Sequence, residues 1–447
     1  MAIEATLIQS EIDRIINEKA KPISFFWSAV VHANGNDYPL FAIESIDFIR
    51  DYNEEITDSI DVTGMISPGT LQVDISPFSS NLEITLTKVT TNESGEEEVI
   101  GETIQKERYL AKLKDGPSQA MSGTVNGNIS KDNANMGGMV KVSFQLLNET
   151  LEQLRMVIVG GIYKNCTTGN VLRALVGGES KRVKSTMGTA VKGVDMVKPN
   201  NETVRDHVII PHGVKLLGLP AYLQEKCGGV YSAGMGFYLQ NGLWYIYPKL
   251  DVNRFNTSAK TLTIIVVPEN KYPGISRTYR ETANQVIFLS TRGISHWDDS
   301  EDQQLNFGNG VRFTDANNIM EGFGETEGNK FTVTRKNNAN EVILGERENG
   351  VNRAMMSSTP ITANPFVEYS KMARANCEHL QVTWESANEN LLYPGMPCRV
   401  VYANHEEITE SYGCVLAAQY YIQRAGETLT SKRHMISGTV TVVLGKK

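Results

Sequence analysis

Leu82, Ile84 and Leu86 alternate with Glu83, Thr85 and Thr87, and the same period returns near the far end, where Ile436, Val440, Val442 and Leu444 oppose Ser437, Thr439 and Thr441. Successive side chains of a strand point to opposite faces, so these runs predict strands with one buried and one wet face. Val140, Val142, Phe144 and Leu146 against Lys141, Ser143 and Gln145 repeat the pattern, as do Ile60, Val62, Gly64 and Ile66, and Trp27, Ala29 and Val31. Such alternation belongs to antiparallel sheets or barrels. Turn chemistry punctuates it: residues 32–37 carry Asn34-Gly35, and Asn241-Gly242 separates Gly236–Leu239 from Leu243–Pro248 as a hairpin signal.

Elsewhere the period becomes helical. Ile8, Ile12, Ile15 and Ile16 predict a short amphipathic helix over residues 4–19, ahead of Pro22. It can pack on its own domain or dock on a neighbouring subunit, and both readings stay open. Leu151, Leu154 and Ile158 form one further stripe and Val171, Leu172 and Leu175 another, with Thr168 as its N-cap. Pro220 to Lys226, followed by Gly228-Gly229, reads as a third helix, and Asn364-Pro365 caps a fourth. The glycine-rich stretch from Gly228 to Gly236 reads as a hairpin turn.

The expected fold is therefore mainly β with α+β inserts. It comprises an N-terminal helix or arm (1–22), a first β-barrel (23–150), a mixed α/β domain (151–235), and a second β-barrel in two parts (236–292 and 361–447) around a polar insert (293–360). Polar loops interrupt the first barrel at 90–98 and 116–138, the second long enough to be a binding loop. Sheet-rich ends suggest two related barrels, although no sequence repeat accompanies them.

Composition removes several function classes. With 43 Lys+Arg against 51 Asp+Glu the 447-residue chain carries a formal charge of −8, and no basic cluster offers phosphate a concentrated positive stripe. Apolar stretches such as Leu262–Pro268 fall far short of the roughly 20 residues a spanning helix needs. The start, Met1-Ala2-Ile3-Glu4, has no basic and apolar leader pattern, so synthesis in a cytoplasm is expected. The cysteines Cys166, Cys227, Cys377, Cys398 and Cys414 include no CxxC pair, against both a disulfide framework and a zinc ribbon.

Motifs with a chemical mechanism are missing: there is no GxxxxGK[ST], GxSxG, HExxH or EF-hand spacing. His207 and His212 stand five apart around Pro211 and would not share a helix face as a metal pair. His296-Trp297-Asp298-Asp299-Ser300-Glu301-Asp302 offers oxygen ligands without a closing glycine and glutamate, and reads as a solvated acidic loop. His405-Glu406-Glu407 reads as a surface turn. Accordingly no residue is assigned as catalytic, cofactor-binding or metal-ligating, and no cofactor is expected.

One resemblance does emerge from particular segments. Residues 38–52 (YPLFAIESIDFIRDY), Asn81 to Leu86, Glu107-Arg108-Tyr109, 144–163 (FQLLNETLEQLRMVIVGGIY), 228–248 (GGVYSAGMGFYLQNGLWYIYP) and 391–402 (LLYPGMPCRVVY) together resemble the central baseplate hub proteins of contractile-tailed bacteriophages. That resemblance implies a non-enzymatic homotrimer with two tube-like β-barrel domains per subunit. Three subunits would then present a pseudo-sixfold ring to the hexameric tail tube and a true threefold face to a central spike. Implied partners are the tail tube protein, the spike and other baseplate proteins, with DNA only passing through the lumen, in a virion made in the host cytoplasm. Alternatives are a tail-associated cell-wall-degrading enzyme using Asp298, Asp299 or Glu301, or another tail component such as an adaptor, tube or sheath-like protein. The Pro394-Gly395-Met396-Pro397 turn marks where barrel geometry should be visible.

Overall fold

Alternating apolar residues become strands that close on themselves. The computed structural model describes residues 10–15, 23–92, 103–114, 139–267, 278–291, 293–297, 326–327, 330–334, 341–346, 377–403, 408–425 and 433–445. A helical segment, α1 (residues 10–15), precedes β1 (Ile23–Ala33), β2 (Asn36–Pro39), β3 (Ala42–Asp51), β4 (Ser59–Ile66), β5 (Leu82–Asn92), β6 (Thr103–Leu113) and β7 (Val140–Leu147). Next come α2 (Glu149–Leu154), β8 (Ile158–Cys166), α3 (Thr168–Arg182), β9 (Gly193–Met196), β10 (Arg205–Lys215), α4 (Leu219–Lys226), β11 (Met235–Gln240) and β12 (Leu243–Pro248). The strands that follow are β13 (Thr261–Val266), β14 (Tyr279–Glu281), β15 (Gln285–Ser290), β16 (Gly293–Trp297), β17 (Thr326–Glu327), β18 (Lys330–Thr334), β19 (Glu341–Glu346), β20 (Cys377–Glu385), β21 (Pro397–Ala403), β22 (Ile408–Arg424) and β23 (His434–Gly445). The fold is mainly β.

One 15-stranded sheet dominates, in the order β14-β15-β13-β21-β22-β3-β4-β7-β6-β5-β1-β23-β20-β16, with β2 beside β1. Because β22 also pairs with β23, the run from β22 through β3, β4, β7, β6, β5 and β1 to β23 returns to its start as a closed ring of strands. Closure leaves no edge in that ring for stray pairing. Val31, Ile46, Val62, Ile84, Phe144 and Ile422 fill its interior, all essentially inaccessible to solvent. Asn34 and Gly35, and Asn241 and Gly242, all take positive φ, as the two-residue hairpin turns demand.

The same two strands serve a second β unit. Up to Cys414, β22 pairs with β21; from Ala417 it pairs with β3 instead. Leu416 sits between, as a bulge in the β22–β23 register. Its carbonyl accepts the N–H of Tyr52 at 2.9 Å, while the Val415 N–H goes to Met396 O at 2.9 Å. One extra residue thus re-aims the strand and lets it change neighbours. On the other side of β23, β20 runs antiparallel from Cys377↔Gly445 to Glu385↔Ser437. This second unit is not the purely antiparallel barrel expected: β13 lies parallel to both β15 and β21. Its Leu-Thr-Ile-Ile run is buried on both faces, the pattern of a parallel central strand. Ser290 Oγ on β15 donates to Thr383 O on β20 at 2.8 Å, curling the sheet toward itself.

The outward side of that sheet is covered by the chain's own start. Ile12 and Ile15 pack on Ile265, Val267, Ile287 and Leu289, and Arg280 pairs with Glu11 at 3.0 Å. Of the two readings left open for the N-terminal helix, the described segment takes the first.

A second core belongs to the α/β part. Leu151, Leu154, Val171, Leu172, Leu219, Leu223 and Trp244 form it. Here three local expectations are corrected. Ile158 does not continue the helical stripe: α2 ends at Leu154, and Ile158 begins β8 with its side chain exposed. The cap of α3 is Thr167, whose side chain accepts from the Asn170 N–H at 3.2 Å; Thr168 instead donates its hydroxyl to Cys227 O at 2.9 Å. Residues 228–234 form the link from α4 to β11 rather than a hairpin turn. Gln224 holds it by accepting from the Val230 N–H at 2.9 Å and donating to Tyr231 O at 2.8 Å. The β11–β12 hairpin pairs with β9 in its own three-stranded sheet, outside the large one. β16, at the start of the polar segment, pairs with β20.

Candidate functional site

The α/β part, the ring and the second β unit meet at one junction, built largely by aromatic residues of the β11–β12 hairpin. Alternate residues of the hairpin face opposite ways: Leu239, Trp244 and Ile246 enter the α/β core, whereas Tyr238 and Tyr247 join the core of the large sheet. Tyr238 meets Tyr52 edge-on, ring centroids 4.8 Å apart, and donates its hydroxyl to Asp58 Oδ1 at 2.9 Å. Tyr247 donates to Tyr52 O at 2.9 Å. Its ring lies where a side chain on Gly395 would be, and Gly395 has φ +64°. The Pro394–Pro397 turn picked out in the sequence is therefore a seat for Tyr247, which only glycine allows. Arg254 fixes the same turn from its other side, donating to Gly395 O at 2.6 Å.

Beneath this lies a buried charge cluster. Arg50 on β3 is held by Asp58 at 2.9 Å, stacks its guanidinium 5.5 Å from the Tyr420 ring centroid, and donates to Glu389 O. Lys88 on β5 pairs with the Glu389 carboxylate, with both side chains buried, and its ammonium lies 4.4 Å from the Phe25 ring centroid. Residues of the ring, of the α/β part and of the 386–396 segment thus share one network, in which each charge has its partner. Burial pushes the hydroxyls of Tyr52, Tyr238 and Tyr420 up, so all three stay protonated, and that of Tyr238 is the one with an acceptor, Asp58. A cavity of about 560 Å³ opens beside the cluster, lined by Lys88, Gln105, Tyr109, Gln240 and Glu389 among others. The joint packs the ring, the α/β part and the second β unit against one another.

His207 faces out from β10 opposite Lys164, and His212 lies in the irregular 211–213 segment. Among the described residues no group of three His, Cys, Asp or Glu side chains could hold a metal ion. Asp298, Asp299, Glu301 and His405-Glu406-Glu407 lie outside the described residues, as do the 116–138 loop and the Asn364-Pro365 helix. The five cysteines are free thiols, and burial pushes that of Cys414 up to about 12. Among the described residues no helix is long and apolar enough to cross a membrane. The buried charges were missed by sequence reasoning because Lys88 and Arg50 occupy inward strand positions that carry apolar residues elsewhere in the same runs.

No family model and no curated protein matches the sequence. Among solved structures, the chain is similar to a tail protein from Neisseria meningitidis MC58 at 11% identity, covering 94% of this chain and 97% of the other, with a TM-score of 0.43. It is also similar to the prophage MuSo2 43 kDa tail protein from Shewanella oneidensis at 11% identity, 93% and 96% coverage, and a TM-score of 0.44. A third is an E. coli type VI secretion component with described similarity to bacteriophage T4 tail proteins, at 8% identity, 93% and 77% coverage, and a TM-score of 0.37. These structural neighbours are phage tail and secretion-system proteins. At this level of similarity the function has to be read from the chain's own residues.

Proposed function

We propose that this chain is a structural protein of a contractile phage tail, the central baseplate hub, acting as a homotrimer that joins a hexameric tail tube to a trimeric spike without catalysing a reaction. The observation that carries the reading is the sharing of β22 and β23 between two β units. In a chain with two β units fused by continuous strands, three copies set six units around one axis while keeping a threefold face. The hub-like segments supply both units and the joint between them: 38–52 contains β3, 391–402 contains the Gly395 seat and most of β21, and 228–248 contains the Tyr238–Tyr247 hairpin. A hub that joins two assemblies needs a firm joint, and the junction is closed by buried aromatic packing and paired charges rather than by a flexible linker.

Negative-stain class averages of the purified chain test this reading. A hollow particle with threefold symmetry and six peripheral lobes is expected. A sixfold ring would move the assignment to a tube, adaptor or sheath role, and a single compact particle would contradict it.

A further inference from the structure

The β8–β10 ribbon is hydrogen-bonded only to itself among the described strands, and the Ile209 carbonyl of β10 accepts from the Tyr222 hydroxyl at 3.2 Å. Its inner face, with Val159, Val208 and Ile210, is buried in the α/β core. Its outer face is unusual. Ile162 and Ile209 stand directly opposite each other, with Ile158 two pairs along, and they are 63%, 55% and 56% exposed. Around them, at positions of the same face, stand Lys164 opposite His207 and Lys215 opposite Ile158. No carboxylate occupies that face. An apolar centre inside a rim of one charge sign marks a contact surface.

A surface of opposite character lies across the shared strands. A groove of about 430 Å³ is lined by Asp47 and Ile49 of β3, Thr383 and Glu385 of β20, and Gln419 and Tyr421 of β22. Ile49 and Tyr421 are 39% and 42% exposed. No Lys or Arg occupies β20 from Gln381 to Glu385, β22 from Ala417 to Gln423, or β23 from Met435 to Thr441, and the arginine of β3, Arg50, points inward. The carboxyl of Asp47 is held above its usual range by partial burial and then by the neighbouring charge of Asp61, against a smaller lowering by the Lys114 ammonium.

We propose that the basic, isoleucine-centred face of the β8–β10 ribbon docks into the acidic groove between the two β units of a second copy of this chain. The two patches are different surfaces of one molecule, so the contact is head-to-tail, and repetition around an axis closes a ring. The inference rests on the homotrimer reading above and specifies its subunit contact. Isoleucines of the ribbon lie against Ile49 and Tyr421, while Lys164 and Lys215 face Asp47 and Glu385.

The test is light scattering of the full chain carrying Lys164→Glu with Lys215→Glu, alongside Ile162→Ser with Ile209→Ser, with circular dichroism to establish folding. Because all four residues are exposed, both variants are expected to fold and to run as monomers where the unaltered chain assembles. Adding Asp47→Lys and Glu385→Lys to the charge-reversed chain is expected to restore assembly. Variants that keep the assembled mass, or a charge-swapped chain that stays monomeric, would overturn the contact while leaving the hub reading intact. An unaltered chain that is monomeric at every concentration would overturn both.

Discussion

Trp27 donates its backbone N–H to Nδ1 of His434 at 3.3 Å, across 407 positions of sequence. This bond falls where β1 meets β23 through the single pair Phe25↔His434, so it completes the closure of the ring. The other ring nitrogen, Nε2, lies 3.3 Å from Ile43 O. Only a neutral imidazole with its proton on Nε2 satisfies both contacts, accepting from Trp27 and donating to Ile43.

Acid should therefore open this seam. Burial, and to a smaller degree Arg424, lower the His434 pKa below its ordinary 6.5, against a hydrogen bond to Ile43 that raises it. A depressed folded value means the unfolded chain takes up the proton first. The contribution is present in full above about pH 6.5 and is lost as pH falls toward the folded value. Thermal melts from pH 8 down to pH 5 should show a decline that is shallower in His434→Gln.

Glu149 gives a second pH-dependent element at lower pH. Burial pushes its carboxyl up, but hydrogen bonds from Ser185 and Thr186 hydroxyls and from the Thr186 and Met187 N–H groups outweigh this and hold it below the usual 4.5. Its stabilisation exists above pH 4.5 and disappears as pH falls through the depressed value. Glu149→Gln should cost about 1–3 kcal/mol in urea unfolding and raise amide exchange over residues 185–189.

The Gly395 seat is directly testable. Gly395→Ala adds a Cβ into the Tyr247 ring at a positive φ, and should destabilise by about 1–3 kcal/mol. Gly69→Ala, where φ is −62° and nothing lies within 4 Å, should be neutral or slightly stabilising. Denaturant midpoints of the two variants provide the comparison.

Removing one half of the buried pair should cost more than removing both. Glu389→Gln leaves the Lys88 ammonium without its partner in the core and should cost about 3–5 kcal/mol, whereas Lys88→Met combined with Glu389→Leu should recover most of that loss. Urea unfolding of the single and double variants measures the difference.

What the sequence reveals follows from how local the cause is. Alternation around Leu82–Leu86 and Ile436–Leu444, and the Asn-Gly turns, depend on neighbours in the chain, and they read correctly. The changeover at Leu416 does not: the small and apolar run from Cys414 to Ala418 carries no period, and only the strands beside it show that β22 serves two units. The parallel partners of β13 lie 24 and 136 positions away by register, Thr261↔Gln285 and Leu262↔Cys398, and no local pattern encodes such pairings. The cap of α3 failed by one position because Thr167 and Thr168 are chemically identical. At the junction, Pro394-Gly395 stood out as a turn, but the need for glycine comes from Tyr247, which the turn meets only after folding.

The mass of the purified full-length chain in solution, by light scattering over a concentration series, bears most directly on the hub assignment. The account predicts an assembly of three copies of the 49.5 kDa chain. A mass of one copy at every concentration, or of six copies, would contradict it.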